Sequence, residues 1–269
     1  MPSANTGKKL IKSIKVYKDH VTLSFAKKET LKISKEAYLS SYLYVGKSLT
    51  NKDISKLNEL TALATLLNYS MGLISKRHYS EHKMYEKLIK KEANKAAAMF
   101  VINKLKESDL LDDKAYMEDL IAWDDERGFG KNKIIKHLKD QGIKDNLISK
   151  AHFSPSNELK KAKGLVPKLE RKYARYAFNN KKNHVYQALL SQGFDYSVAK
   201  EAVELVKSDS PRLEKEKLIN DYRKVYKRFE NKYEGYQLKQ KIYSALLNKG
   251  YKGKDIRLVL EEFTYENDF

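Results

Sequence analysis

One nine-residue pattern recurs along the chain. Residues 134–142 read IIKHLKDQG, residues 185–193 VYQALLSQG and residues 242–250 IYSALLNKG; residues 84–92, MYEKLIKKE, are a fainter copy. In each copy an apolar residue (Met84, Ile134, Val185, Ile242) stands four before a leucine (Leu88, Leu138, Leu189, Leu246). Four residues further on comes a stop at Gly142, Gly193 or Gly250, with Glu92 in that place in the first copy. Spacing by four puts both apolar residues on one helical face. A glycine just past the end supplies the left-handed residue that closes a helix. The stops lie 50, 51 and 57 residues apart. A short helix with so narrow a stripe cannot bury itself, so neighbours must cover it, as in a helical repeat array.

Composition agrees with that reading. Only four prolines and eleven glycines in 269 residues leave room for long helices, and 41% apolar content suffices for cores. Cysteine is absent, which excludes disulfides and thiolate metal sites. Residues 1–9 look like a loose basic tail without the apolar core of a signal peptide, and no 18-residue apolar run occurs. A soluble cytoplasmic protein is expected, with no membrane partner. The formal net charge of +19 favours a polyanionic partner such as nucleic acid or a nucleoprotein, although lysines also serve solubility.

Taken in order, residues 10–34 change to a period of two: Val16, then Val21, Leu23 and Phe25, then Leu31 and Ile33, a three-stranded meander. Such a sheet is too small to stand alone and should lean on a helix. Ser34 is a candidate cap for a short helix that Val45-Gly46-Lys47 breaks. Thr50 and Asp53 open a long helix, with Leu57, Leu60, Ala64, Leu67, Met71 and Ile74 inward and an end near Arg77. A second helix starts at Ser80, and a third runs over about residues 95–106 with Ala98, Ile102 and Leu105 inward. The same plan follows three more times, with breaks at residues 152–157 and at 208–211. Leu165, Leu169, Tyr173 and Tyr176 mark the first helix of the third copy, and Val198, Ala202 and Leu205 its last. The expected fold is mainly α: four tandem three-helix repeats in an elongated curved array behind a small β-meander with a helix. The boundaries are 1–49 for the head and 50–109, 110–153, 154–210 and 211–269 for the repeats.

Leu73-Ile74-Ser75-Lys76-Arg77, with Ser80 and Leu88, resembles the first-repeat signature of the RecX family, bacterial regulators of the RecA recombinase. Leu110-Leu111-Asp112-Asp113, Tyr116, Leu120-Ile121, Gly130, Ile134, Leu138 and Gly142-Ile143 resemble its second-repeat signature. The likeness spans nearly the whole chain, including the head and fourth triplet of the longer members. Tyr79, Glu92 and Met117 depart from the usual arginine, glycine and alanine. The resemblance implies a regulator of recombination and DNA repair that binds the RecA–DNA filament and lies in its groove across several protomers. It would inhibit ATP hydrolysis and strand exchange and favour disassembly; the oligomeric state is left open, with a monomer favoured.

Charge is uneven. Residues 160–182 hold nine cations against Glu170 alone, a net of +8, and residues 112–126 hold seven acids against one lysine, a net of −6. A mixed protein–DNA partner suits such a chain better than bare DNA. The residues expected to meet RecA or DNA are Arg77, Arg127, Lys131, Lys133, Lys160, Lys161, Lys168, Arg171, Lys172, Arg175, Lys181 and Lys182. A sequence-independent DNA-binding protein is the alternative. Tyr173, Tyr176, Tyr222, Tyr226 and Tyr233 adjoin cations and could stack on bases, yet their spacing fits the buried stripe better. His78 and His82 lack a third ligand, and the aspartates of residues 112–125 scatter around a helix as caps and solvated charges, so no metal or cofactor is expected. Gly128-x-Gly130 joins two helices and is no phosphate loop. With no nucleophile–base pair in view, an enzyme is not expected.

Overall fold

A computed structural model describes residues 8–266, with side chains described over 8–263. The tail expected at residues 1–9 therefore falls almost wholly outside the described residues. Two compact units emerge: residues up to 117 together with 140–144, and residues 118–139 together with those from 145 onward.

The first unit opens with the head. Strands β1 (Lys9–Leu10), β2 (Ser13–Val16), β3 (Val21–Ser24) and β4 (Thr30–Ile33) are followed by helix α1 (Lys35–Ser40) and strand β5 (Ser48–Leu49). Strands β2, β3 and β4 form the antiparallel meander expected from the period-two pattern. Strands β1 and β5 pair separately, each too short to leave a periodic signal. Alternation puts Val21, Leu23 and Ile33 on one face, where they pack with Ile11, Ala37, Leu43 and Leu49. The Ser34 side chain caps α1 by accepting from the Ala37 amide at 3.1 Å.

Helix α2 (Asn51–Ile74) starts in a reciprocal capping box between Thr50 and Asp53. Its first half supplies Leu57 to the head core, and its second half supplies Leu66 to the next core. Serving two cores turns the buried face along the helix. Met71, expected inward, is exposed, while Ser70 is buried and donates to the Leu66 carbonyl at 2.9 Å. The helix also stops at Ile74, short of Arg77. Helices α3 (Glu81–Lys90) and α4 (Lys95–Glu107) complete this core with Met84, Leu88, Ala98, Ile102 and Leu105. Ser80 caps α3 as expected.

Next come α5 (Asp113–Glu126), α6 (Lys131–Asp140) and α7 (Asp145–Ile148). Residues of this triplet are divided between the two units. Trp123 of α5 is 55% exposed, whereas Met117 is buried.

The second unit continues with α8 (Pro155–Lys172), α9 (Phe178–Ser191), α10 (Tyr196–Val203), α11 (Pro211–Phe229), α12 (Gly235–Asn248) and α13 (Gly253–Glu266). Pro155 and Pro211 each occupy the first position of a helix, where no amide partner is lost. In α8 the deepest residues are Ala162 and Val166, with Leu165, Leu169 and Tyr173 at the margin of the core. Small Ala162, Ala199 and Ala202 let α8 and α10 approach closely. Leu205 lies past the end of α10 and is exposed; Val206 takes the buried place expected for it. The last core gathers Leu218, Tyr222 and Val225 with Ile242, Leu246, Ile256 and Val259.

The recurrent stops have a common role. The first turn of α3 meets the end of α6, where Ser80 Oγ donates to the Gln141 carbonyl at 2.5 Å and a Cβ on Gly142 would collide with the His82 side chain. At α6 the Gly130 amide donates to the Gln192 carbonyl at 2.8 Å, beyond the end of α9. At α9 the Asn179 side-chain amide donates to the Gly250 carbonyl at 3.0 Å, beyond the end of α12. Each time, free donors at a helix start satisfy free carbonyls at a helix end. Close approach, as much as positive φ, demands glycine there: Gly142, Gly193 and Gly250 have φ of 76°, 92° and 87°. Glu92 also has a positive φ, 66°, and is exposed.

Candidate functional site

The basic stretch of residues 160–182 separates into two populations. Lys160, Lys168, Arg171, Lys172 and Arg175 are exposed. Helix α8 ends at Lys172, and the following turn carries Tyr173 and Tyr176, whose rings flank the His184 ring at centroid distances of 5.1 and 4.2 Å. Lys172 Nζ lies 5.2 Å from the Tyr173 centroid, and Arg175 lies over Tyr176 at 5.0 Å and donates to its hydroxyl at 2.9 Å. The C-terminal end of α8 thus presents a cationic fringe around a half-buried aromatic cluster, where cations also suit the negative helix end.

The other population belongs to the fold. Lys181 is 3% exposed, and its ammonium pairs with Asp209 at 2.9 Å. Asp209 also accepts from Lys217. Burial works to raise the Asp209 carboxyl, but the hydrogen bonds from Lys217 and Lys181 outweigh it and hold the group below its usual range. Lys161 is nearly buried between Asp125 and Glu158, at 2.5 Å from each, and donates to the Phe129 carbonyl at 2.9 Å. Lys182 pairs with Glu204 at 2.9 Å. Both ammonium groups are buried or nearly so and already paired with carboxylates, so Lys161 and Lys181 leave the candidate surface.

A second group of expected residues gathers around Phe129. Lys133 Nζ lies 3.7 Å from the Phe129 centroid, and the Arg127 guanidinium lies 4.7 Å from it and 4.2 Å from the Trp123 ring. The Lys131 amide donates to Glu158 at 2.9 Å while its side chain is partly exposed. Beneath this ladder Asp124 is fully buried and accepts from His137 Nδ1 at 2.7 Å. Asp124 is thus no solvated charge, contrary to the expectation for this carboxylate run. In the first unit Arg77 is exposed and lies 4.5 Å over the Tyr79 ring.

The acidic segment is also partly consumed. Asp112 accepts from the amides of Lys114 and Ala115, and Asp113 from the Glu81 amide at the start of α3. Asp125 receives Lys161 and Asn157. With Asp124, four of the seven carboxylates in residues 112–126 serve the fold, so the formal charge overstates what a partner meets. Tyr173, Tyr176, Tyr226 and Tyr233 are partly buried and Tyr222 is buried, as the stripe reading expects. Among the described residues no group of three His, Asp or Glu side chains could hold a metal, and no helix is long and apolar enough to cross a membrane.

No family model matches the chain. It is 27% identical over 252 residues to the regulatory protein RecX of Lactococcus lactis subsp. cremoris (strain SK11), covering 91% of this chain and 94% of the relative. It is 26% identical over 245 residues to the regulatory protein RecX of Streptococcus agalactiae serotype Ia, covering 90% and 95%. Over nine-tenths of its length the chain is thus similar to RecX regulatory proteins. A crystal structure of regulatory protein RecX superposes with a TM-score of 0.63 over 73% of this chain and 99% of its own, at 22% identity. That match shows a shared, mainly helical fold; the structure described here also carries a small β region.

Proposed function

We propose that this chain regulates homologous recombination by binding the RecA–DNA filament and inhibiting RecA's ATPase and strand exchange. It would lie in the filament groove and touch several protomers. Each contact would be weak, and linkage between them would supply avidity. Bridging protomers hinders the movements that ATP turnover requires. The observation that carries this reading is the match to RecX regulatory proteins over nine-tenths of the chain. The role is that of a regulator rather than an enzyme.

The exposed group Lys168, Arg171, Lys172 and Arg175 supports the contact with phosphate or acidic filament surface. The ladder of Trp123, Arg127, Phe129 and Lys133 supports a protein contact, since exposed tryptophan and arginine are the residue types that anchor such interfaces. The same cations favour a second reading, sequence-independent DNA binding. Titration into RecA's DNA-dependent ATPase separates the two. Inhibition at substoichiometric protein that persists when DNA is in excess is the expected result. Inhibition that vanishes with excess DNA indicates competition for DNA alone.

A further inference from the structure

The head presents a feature that the helical triplets do not explain. Residues 41–47 form a turn from which Tyr42 and Tyr44 project, 87% and 63% exposed, on either side of buried Leu43. The turn is braced. Lys47 Nζ donates to the carbonyls of Ser41 and Tyr42, each at 3.0 Å. The Gly46 amide donates to the Ile11 carbonyl at 2.9 Å, and the Ile11 amide to the Lys47 carbonyl at 3.0 Å. Tyr42 itself sits at φ 44°, a left-handed conformation that a bulky side chain adopts at a cost. A fixed backbone is thus holding an aromatic ring out into solvent. Among the described residues neither ring stacks on another aromatic ring. The segment that carries them is strongly basic: residues 8–50 contain ten lysines against three carboxylates, a net of +7.

We propose that this turn is a stacking platform for single-stranded DNA, with Tyr42 and Tyr44 taking bases and the lysines of the head taking phosphates. Base stacking on aromatics inside a cationic field is the general mode of sequence-independent single-strand binding. Rings that project from a turn need bases free of a duplex, so the preference is for single strands. Insertion into an anionic membrane fits less well, because the Lys47 ammonium is tied to the base of the turn and would enter the bilayer with it. The proposal gives the head a role of its own and does not rest on the filament reading.

The test uses the full chain, fluorescein-labelled oligo(dT) and no recombinase. The double variant Tyr42→Ala, Tyr44→Ala should bind oligo(dT) about tenfold more weakly or worse. Its salt slope should be unchanged, because no cation is lost. Its melting temperature should be unchanged, because both rings are exposed, and binding to a duplex of the same length should shift less than twofold. The Tyr42→Phe, Tyr44→Phe variant should keep oligo(dT) affinity, since it keeps both rings. Unchanged oligo(dT) affinity in the alanine variant, an equal loss on duplex, or a loss confined to phosphatidylserine vesicles would each overturn the proposal.

Discussion

The amide of Asn132 donates to the carbonyl of Gly193 at 2.9 Å. A helix start of one triplet is thereby joined to a helix end of another. Lys133 lies so close to Gly193 that no side chain fits there. The same kind of joint at Gly142 and Gly250 explains why these three stops are glycine.

Gly193→Ala should destabilise the second unit by about 2 kcal/mol or more, because strain at positive φ adds to the collision with Lys133. Gly164→Ala, in the exposed face of α8 with open space around the added methyl, should stabilise by about 0.5–1 kcal/mol. Glu92→Gly should be neutral or mildly stabilising, by no more than about 1 kcal/mol. Urea denaturation of the three variants checks the ordering.

Lys181 and Lys168 should behave as opposites despite equal formal charge. Lys181→Met removes one of two cations from Asp209 in a mostly buried pair and should cost about 1–3 kcal/mol, a discount on the full value for a buried pair because Lys217 remains. Lys168→Ala, at an exposed position, should stay within about 0.5 kcal/mol. Thermal melts distinguish the two.

The cluster around Lys217 should show opposing acid responses. Burial pushes the Glu214 carboxyl above its ordinary 4.5, with neighbouring Asp209 adding to the effect. The fold therefore resists ionising Glu214, which subtracts stability at neutral pH and ceases to do so as pH falls below 4.5. Asp209, held below its ordinary 3.8, contributes stability above that value and loses it only as pH falls through its lower folded value. Glu214→Gln should raise the melting temperature at pH 7 and give no gain near pH 4. Asp209→Asn should lower it at both. A Glu214→Gln gain independent of pH would contradict this assignment.

Reversing Lys168, Arg171 and Arg175 to glutamate should weaken binding to the RecA–DNA filament and flatten the dependence of log affinity on log salt, with little effect on melting. Lys161→Glu should instead destabilise the fold, since it places a carboxylate against Asp125 and Glu158. Unchanged affinity and salt slope in the folded triple variant would remove the α8 surface from the interface.

Local devices were legible in the residues. The caps at Ser34, Thr50 and Ser80 act within three residues, and the four-residue stripe of Ile134 and Leu138 acts within one helix, so both leave a pattern. Partners set by tertiary structure leave none. Asp124 reads as one more carboxylate in an acidic run until His137, from another helix, bonds to it. Lys181 counts as surface charge until Asp209 covers it. The turn in the buried face of α2, from Leu57 to Leu66 and Ser70, arises because one helix serves two cores, and a single periodic stripe cannot express that.

The most direct measurement is a cryo-EM reconstruction of a RecA–DNA filament saturated with this protein. Continuous helical density in the groove, contacting at least two RecA protomers with the Lys168–Arg175 end of α8 turned toward the filament, is the predicted result. Density confined to filament ends, or an undecorated filament beside protein bound to bare DNA, would contradict it.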